Sequence, residues 1–227
     1  MKSFRTNKWL KGLMLAMLLI VGSTVFSASA KEVQAATAGF KTIDGKTYYI
    51  KSDGSKQKGW LTLDGYKYYF NTKTGVQVKG WMKVNGKYTY YFTKGKGVMA
   101  TGWMTDSKGH KRYFNPKTGK LTTGWVNYSK GRKRYFTKSG GIMATGWLTN
   151  SKGQKRYFYK TSGYMATKWV KNKSKNISYY FATSTGYMYT GLKTINQKNY
   201  YFKSNGVMAV STSVTVNGIT YSIAADG

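Results

Sequence analysis

The chain has 227 residues and 38 Lys and Arg against 6 Asp and Glu, a net charge of +32. With no Cys and one His, it can form neither disulfides nor thiolate metal sites. Aromatic residues make up 17% of the chain, including 21 Tyr. A Leu/Val-rich central core is therefore not expected, and amphipathic rings must supply much of the buried surface.

The first predicted element is a leader. Lys2, Arg5, Lys8 and Lys11 form a basic start, followed by an apolar run from Leu13 to Val25. Small-residue cleavage sites come next, at Ala28-Ser29-Ala30 and Val33-Gln34-Ala35. Residues 1–35 read as a helical secretory signal peptide cut after Ala30 or Ala35, with no transmembrane segment in the mature chain. Removal of the leader lowers the net charge by only four, so the positive charge belongs to the mature chain.

From residue 39 to 227 the chain repeats. Trp60, Trp81, Trp103, Trp125, Trp147 and Trp169 are separated by 21, 22, 22, 22 and 22 residues. One copy runs from Gly102-Trp103 through the Lys108-Gly109 turn to Tyr113-Phe114, and returns past Gly119 to Gly124-Trp125. Two β-prone runs around a Gly turn predict a hairpin. Equivalent turns fall at Asp44-Gly45, Asp64-Gly65, Asn85-Gly86, Lys130-Gly131, Lys152-Gly153 and Asn217-Gly218, with Lys175-Asn176 and Asn196-Gln197 as variants. A second glycine marks each return, from Gly54 to Gly227, giving nine copies. Phe40 and Leu192 replace Trp in outer copies. An isolated hairpin is marginal in water. The expected fold is therefore all-β, a solenoid of about nine stacked hairpins, with Met99 and its equivalents filling gaps between aromatic layers.

The succession Gly-Trp, turn, Tyr-Tyr-Phe and Gly-x-Met-x-Thr resembles the cell-wall-binding repeats of Gram-positive surface proteins. That superfamily includes the choline-binding repeats of pneumococcal surface proteins and lysins, the glucan-binding repeats of streptococcal glucosyltransferases and the C-terminal repeats of clostridial toxins. The resemblance covers residues 39–227. It implies a secreted, wall-associated binding protein, or the truncated binding region of a larger wall hydrolase, glucosyltransferase or toxin.

In the choline-binding pattern the second strand reads Trp-Tyr-Tyr-Phe, and its Trp helps to cage a quaternary ammonium group. Here that position holds Thr47, Lys67, Thr89, Lys111, Lys133, Lys155, Ser178, Asn199 and Thr220. In three copies the next Tyr is also replaced, by Arg112, Arg134 and Arg156. A cation where a ring should stand removes one wall and repels an ammonium ion. Lys111, Lys133 and Lys155 with Arg112, Arg134 and Arg156 are the candidate anion ligands. Alternation along a strand would send Lys and Arg to opposite faces as two parallel rows. Trp60, Trp81, Trp103, Trp125, Trp147 and Trp169, with Tyr69, Tyr91, Tyr113, Tyr135, Tyr157 and Tyr180, are the candidate sugar platforms.

These residues point to a wall polymer as partner: teichoic acid, glucan or another polysaccharide. The alternatives are a neutral α-glucan and choline. Interleaved cations and rings also suit single-stranded nucleic acid, but the leader opposes an intracellular role, so no specific nucleic acid is expected. No catalytic residue, metal or cofactor is expected. The carboxylates Asp44, Asp53, Asp64, Asp106 and Asp226 sit at turns or return loops, and only Asp44 and Asp53 share a copy, whereas a glycosidase needs two carboxylates flanking one bond.

Overall fold

The computed structural model describes residues 37–227. The expected leader and its cleavage sites lie outside the described residues. The rest forms nine separate two-stranded antiparallel sheets, each a hairpin of consecutive strands, as the repeat predicts. Hairpin 1 is β1 (Gly39–Ile43) with β2 (Lys46–Ile50), and hairpin 2 is β3 (Gly59–Leu63) with β4 (Tyr66–Phe70). Hairpin 3 pairs β5 (Gly80–Val84) with β6 (Tyr88–Phe92), and hairpin 4 pairs β7 (Gly102–Thr105) with β8 (Lys111–Phe114). Hairpin 5 is β9 (Gly124–Asn127) with β10 (Lys133–Phe136), and hairpin 6 is β11 (Gly146–Thr149) with β12 (Lys155–Phe158). Hairpin 7 is β13 (Lys168–Asn172) with β14 (Ile177–Phe181), and hairpin 8 is β15 (Gly191–Ile195) with β16 (Lys198–Phe202). Hairpin 9 is β17 (Thr212–Val216) with β18 (Ile219–Ile223). Short 3-10 turns, Ser129–Gly131 and Lys173–Lys175, close hairpins 5 and 7.

Alternation gives every hairpin two unlike faces. In hairpin 4, Trp103 lies opposite Tyr113 and Thr105 opposite Lys111, so these four share one face. Gly102 opposite Phe114 and Met104 opposite Arg112 form the other face. In hairpins 2 to 7 the Trp–Tyr face packs on the Phe-bearing face of the next hairpin. Trp60 meets Phe92, Trp81 meets Phe114, Trp103 meets Phe136 and Trp125 meets Phe158, with centroids 6.0 Å apart in each pair. Trp147 and Trp169 repeat the contact with Phe181 and Phe202. Phe40 takes the Trp slot of hairpin 1, 6.3 Å from Phe70. These phenylalanines, Phe70 to Phe202, are the largest fully buried side chains of the described residues. Truncating such a ring to Ala costs about 3–5 kcal/mol.

The backbone couples the copies as well. The amides of Gln77, Met99, Leu121, Met143, Met165, Met188 and Met208 donate to the carbonyls of Thr47, Lys67, Thr89, Lys111, Lys133, Lys155 and Ser178, each in the preceding hairpin. The same residues bridge the buried Phe of their own copy. Met99 therefore does fill the space beside an aromatic layer, packing with Tyr90 and Phe92. Its thioether also lies against the next return glycine: a Cβ on Gly119 would sit 2.3 Å from Met99 Sδ. The glycine before each Trp has positive φ, and Lys168, which replaces it in hairpin 7, keeps φ at 59°. A side chain held there costs about 1–2 kcal/mol of backbone strain.

The return glycines are thus needed for space as well as for φ. Gly119→Ala should destabilise the domain by about 3 kcal/mol, the sum of left-handed strain and overpacking. Gly109→Ala, at a φ of 79° with nothing within 4 Å of the added carbon, should cost only the backbone share. Denaturant unfolding followed by Trp fluorescence separates the two; equal costs would remove the Met–Gly contact from the account.

Candidate functional site

The candidate site residues converge on the seams between hairpins. Each Trp pairs with the Tyr named beside it: Trp60–Tyr69, Trp81–Tyr91, Trp103–Tyr113, Trp125–Tyr135, Trp147–Tyr157 and Trp169–Tyr180 have centroids 4.9–5.2 Å apart. The pairs are cross-strand neighbours, so the hairpin register makes them. Five of the indoles keep 44–49% of their surface exposed although one side rests on a buried Phe. An indole in this position has a fixed inner face and an outer part open to a ligand.

The seams are lined by shallow clefts of about 300–370 Å³. Between hairpins 4 and 5 the lining includes Trp103, Thr105 and Lys111 from one hairpin and Arg134 from the next, with Met143 and Ser162 from later return loops. The next seam repeats it with Trp125, Asn127, Lys133, Arg156, Met165 and Thr185. Trp60, Thr62 and Lys67 with Tyr90, and Trp147, Thr149 and Lys155 with Tyr179, line two more.

This arrangement corrects the expectation of two separate cationic rows. Lys111 and Arg112 do leave their strand on opposite faces. The opposite faces of one hairpin, however, become facing walls once hairpins stack. Lys111 therefore shares a cleft with Arg134, and Lys133 with Arg156. The arginines are also not a freely presented row. Arg112 is only 9% exposed. Its Nε donates to the Gly140 carbonyl at 2.8 Å and its Nη1 to Asp106 at 2.7 Å. Arg134 Nε donates to the Ser162 carbonyl and Arg156 Nε to the Thr185 carbonyl, each at 2.8 Å. All three guanidinium groups lie over the Trp of the preceding hairpin, 5.1–5.4 Å from Trp81, Trp103 and Trp125. Arg134 and Arg156 also cover Tyr164 and Tyr187, at 4.0 and 3.7 Å. In the three central seams a protein cation thus occupies the aromatic corner.

Elsewhere a Tyr stands in the arginine's place. Tyr90, Tyr179 and Tyr200 meet Trp60, Trp147 and Trp169 edge-on at 5.0–5.3 Å, and Tyr68 meets Phe40 at 5.1 Å. These first tyrosines of each Tyr-Tyr-Phe were not among the candidate residues. Alternation, applied across the stack instead of within one strand, would have found them.

Asp106 does more than the turn role expected of it. Its Oδ1 accepts from the amides of Lys108 and His110, and its Oδ2 accepts from Arg112 and faces His110 Nδ1 at 3.1 Å. The Arg112 hydrogen bond, followed by those from the His110 and Lys108 amides, holds its carboxyl well below the usual carboxylate range against the opposing effect of desolvation. A lowered folded-state pKa stabilises above the unfolded value near about 3.9, and that stability is lost as pH falls below it. The unfolding midpoint should therefore drop as pH is lowered below about 4, and Asp106→Asn should flatten this acid limb. Thermal unfolding across pH for both proteins is the check; identical acid limbs would mean the ion pair does not contribute.

Comparison with known proteins fits this geometry. The choline-binding repeat pattern matches residues 37–79, 60–96 and 78–124, and the cell wall binding repeat pattern matches residues 190–208. No curated protein matches. Among solved structures, CbpJ of Streptococcus pneumoniae superposes with a TM-score of 0.66 at 30% identity, over 80% of this chain and 61% of that one. Choline binding protein F of Streptococcus pneumoniae gives 0.65 at 32% identity, over 80% and 60%. That protein has also been solved in the presence of a peptidoglycan analogue, a tetrasaccharide-pentapeptide, and in complex with ipratropium. The chain spans about 60% of the length of these structures. With its nine hairpins and its Gly-Trp seams, the chain belongs to the choline-binding repeat family of cell-wall-binding proteins.

Proposed function

We propose that residues 39–227 form a non-catalytic anchoring module that holds a phosphate-bearing wall polymer, such as a teichoic acid, in the seams between hairpins. Residues 1–35 would direct the chain out of the cell, and the module would keep it at the wall. One observation carries this reading. An exposed indole and a Lys that pairs with no carboxylate among the described residues line the same cleft at four seams: Trp60 with Lys67, Trp103 with Lys111, Trp125 with Lys133, and Trp147 with Lys155. A ring face suits the apolar side of a sugar, and an ammonium group suits a phosphodiester oxygen. The period of the fold then matches a repeating ligand, so weak sites can add by avidity. The wall ligand present with choline binding protein F supports a wall partner.

A second reading, choline on the polymer, is favoured at one place. At the seam between hairpins 1 and 2, Phe40, Tyr49 and Tyr68 cluster while Thr42 and Thr47 stand opposite each other on the same face, where other copies carry a Lys. A ring cluster without a cation suits a quaternary ammonium. In the central seams the arginines already occupy that place. A neutral α-glucan would use the rings alone.

Sedimentation with purified Gram-positive walls separates these readings. Binding should fall at least about tenfold after teichoic acid extraction, and again when salt is raised from about 50 to about 500 mM. The Lys67→Gln/Lys111→Gln/Lys133→Gln/Lys155→Gln variant should bind weakly at all salts. Undiminished binding to extracted walls would reject the phosphate ligand. Release by free choline would select the second reading, and salt-independent binding the glucan.

A further inference from the structure

Hairpin 7 differs from the others. Its Gly-Trp glycine is Lys168, and its turn is the 3-10 segment Lys173–Lys175, capped by the Asn172 side chain accepting from the Lys175 amide. The spacing from Trp169 to its successor Leu192 is 23 residues, one more than the preceding period. The extra residue enlarges the turn. Beside it lies a cleft of about 720 Å³, roughly twice the volume of the repeated ones. It shares Trp147 and Tyr179 with the seam cleft, and its other lining residues are its own.

Two groups of side chains define this cleft. Trp147, Tyr157 and Tyr159 form a stepped aromatic corner. Trp147 and Tyr157 are 5.2 Å apart at 62°, and Tyr157 and Tyr159 are 5.9 Å apart at 87°. Tyr159, 41% exposed, belongs to the return loop and has no counterpart in the repeated clefts. Lys160, Lys171, Lys173 and Lys175 also line the cleft, all exposed. Among the described residues none of the four pairs with a carboxylate; the ion pairs there involve only Asp53 and Asp106. Strand alternation turns Lys171 toward the Trp169 face, so Lys160, Lys173 and Lys175 remain beside the corner. Uncompensated ammonium groups beside an apolar corner call for an anionic ligand with an apolar body. Near-perpendicular rings offer no parallel slot for a flat base. They do offer two faces at an angle, which fits the C–H faces of a puckered sugar.

The geometry points to a separate site at hairpins 6 and 7 for a phosphorylated sugar, with the ring on Tyr157 and Tyr159 and the phosphate held by Lys173 and Lys175. The site goes beyond the repeated seams and stands whether or not those hold wall polymer.

Calorimetric titration of the intact protein with glucose 6-phosphate tests it without any wall material. The sugar phosphate should bind at least about tenfold more tightly than glucose or inorganic phosphate alone, because the two halves of the site act together. Tyr159→Ala and Lys173→Gln/Lys175→Gln should each weaken it about fivefold or more; the lysine variant should keep its unfolding midpoint because those side chains are exposed, and the Tyr159 variant is titrated well below its own midpoint. Equal binding by both variants, or phosphate binding as well as the sugar phosphate, would overturn the site. Adenosine monophosphate binding as tightly as glucose 6-phosphate would overturn its assignment to a sugar. Wall sedimentation of the same variants is read separately, so failure here leaves the seam proposal untouched, and the reverse.

Discussion

The stacking of hairpins 2 to 8 depends on one contact, the indole of a hairpin lying on the buried phenylalanine of the next. A two-stranded sheet has no interior of its own. It gains one only when its Trp–Tyr face covers the Phe of its neighbour, as Trp103 covers Phe136 and Trp125 covers Phe158. The Met–Gly packing and the amide bonds from one return to the preceding hairpin then set the distance between copies. Because the same indole keeps its outer part exposed, core and proposed binding surface are one set of residues. Loss of a Trp therefore weakens the stack and the site together, and substitutions at the neighbouring Lys are the cleaner probe of binding.

The second feature of the seams is an exchange of Tyr for Arg. Tyr90, Tyr179 and Tyr200 close the aromatic corner with a ring edge, whereas Arg112, Arg134 and Arg156 close it with a guanidinium pinned to a backbone carbonyl. Both cover the indole, and both serve packing. They differ in what they leave for a ligand. A tyrosine leaves ring faces at that corner, and ring faces attract a cation. A guanidinium satisfies that corner internally and adds positive charge beside Lys111 and Lys133. The three arginine seams are contiguous, so the chain carries a central anion-favouring stretch flanked by tyrosine seams.

Much of this was legible in the sequence. The Gly-Trp period, the turn glycines and the alternation in Tyr-Tyr-Phe are local features, and they predicted nine hairpins. The meeting of Lys111 with Arg134 was not legible. It joins residues 23 apart, and it depends on which face of one hairpin covers which face of the next. Arg112 looked like a surface cation because its partners, Gly140 and Asp106, lie in another copy's return loop and across its own turn. The enlarged turn of hairpin 7 was visible as a degenerate repeat, but its relation to Tyr159 emerges only once the hairpins are stacked.

The central claim is that ligand enters the seams where aromatic core meets uncompensated lysine. A crystal structure of the module with a short polyol-phosphate oligomer tests it most directly. Sugar or polyol density against Trp103 and Trp125, with phosphate beside Lys111 and Lys133, is the predicted result. Density confined to the outer turns, with the seams empty, would contradict the account.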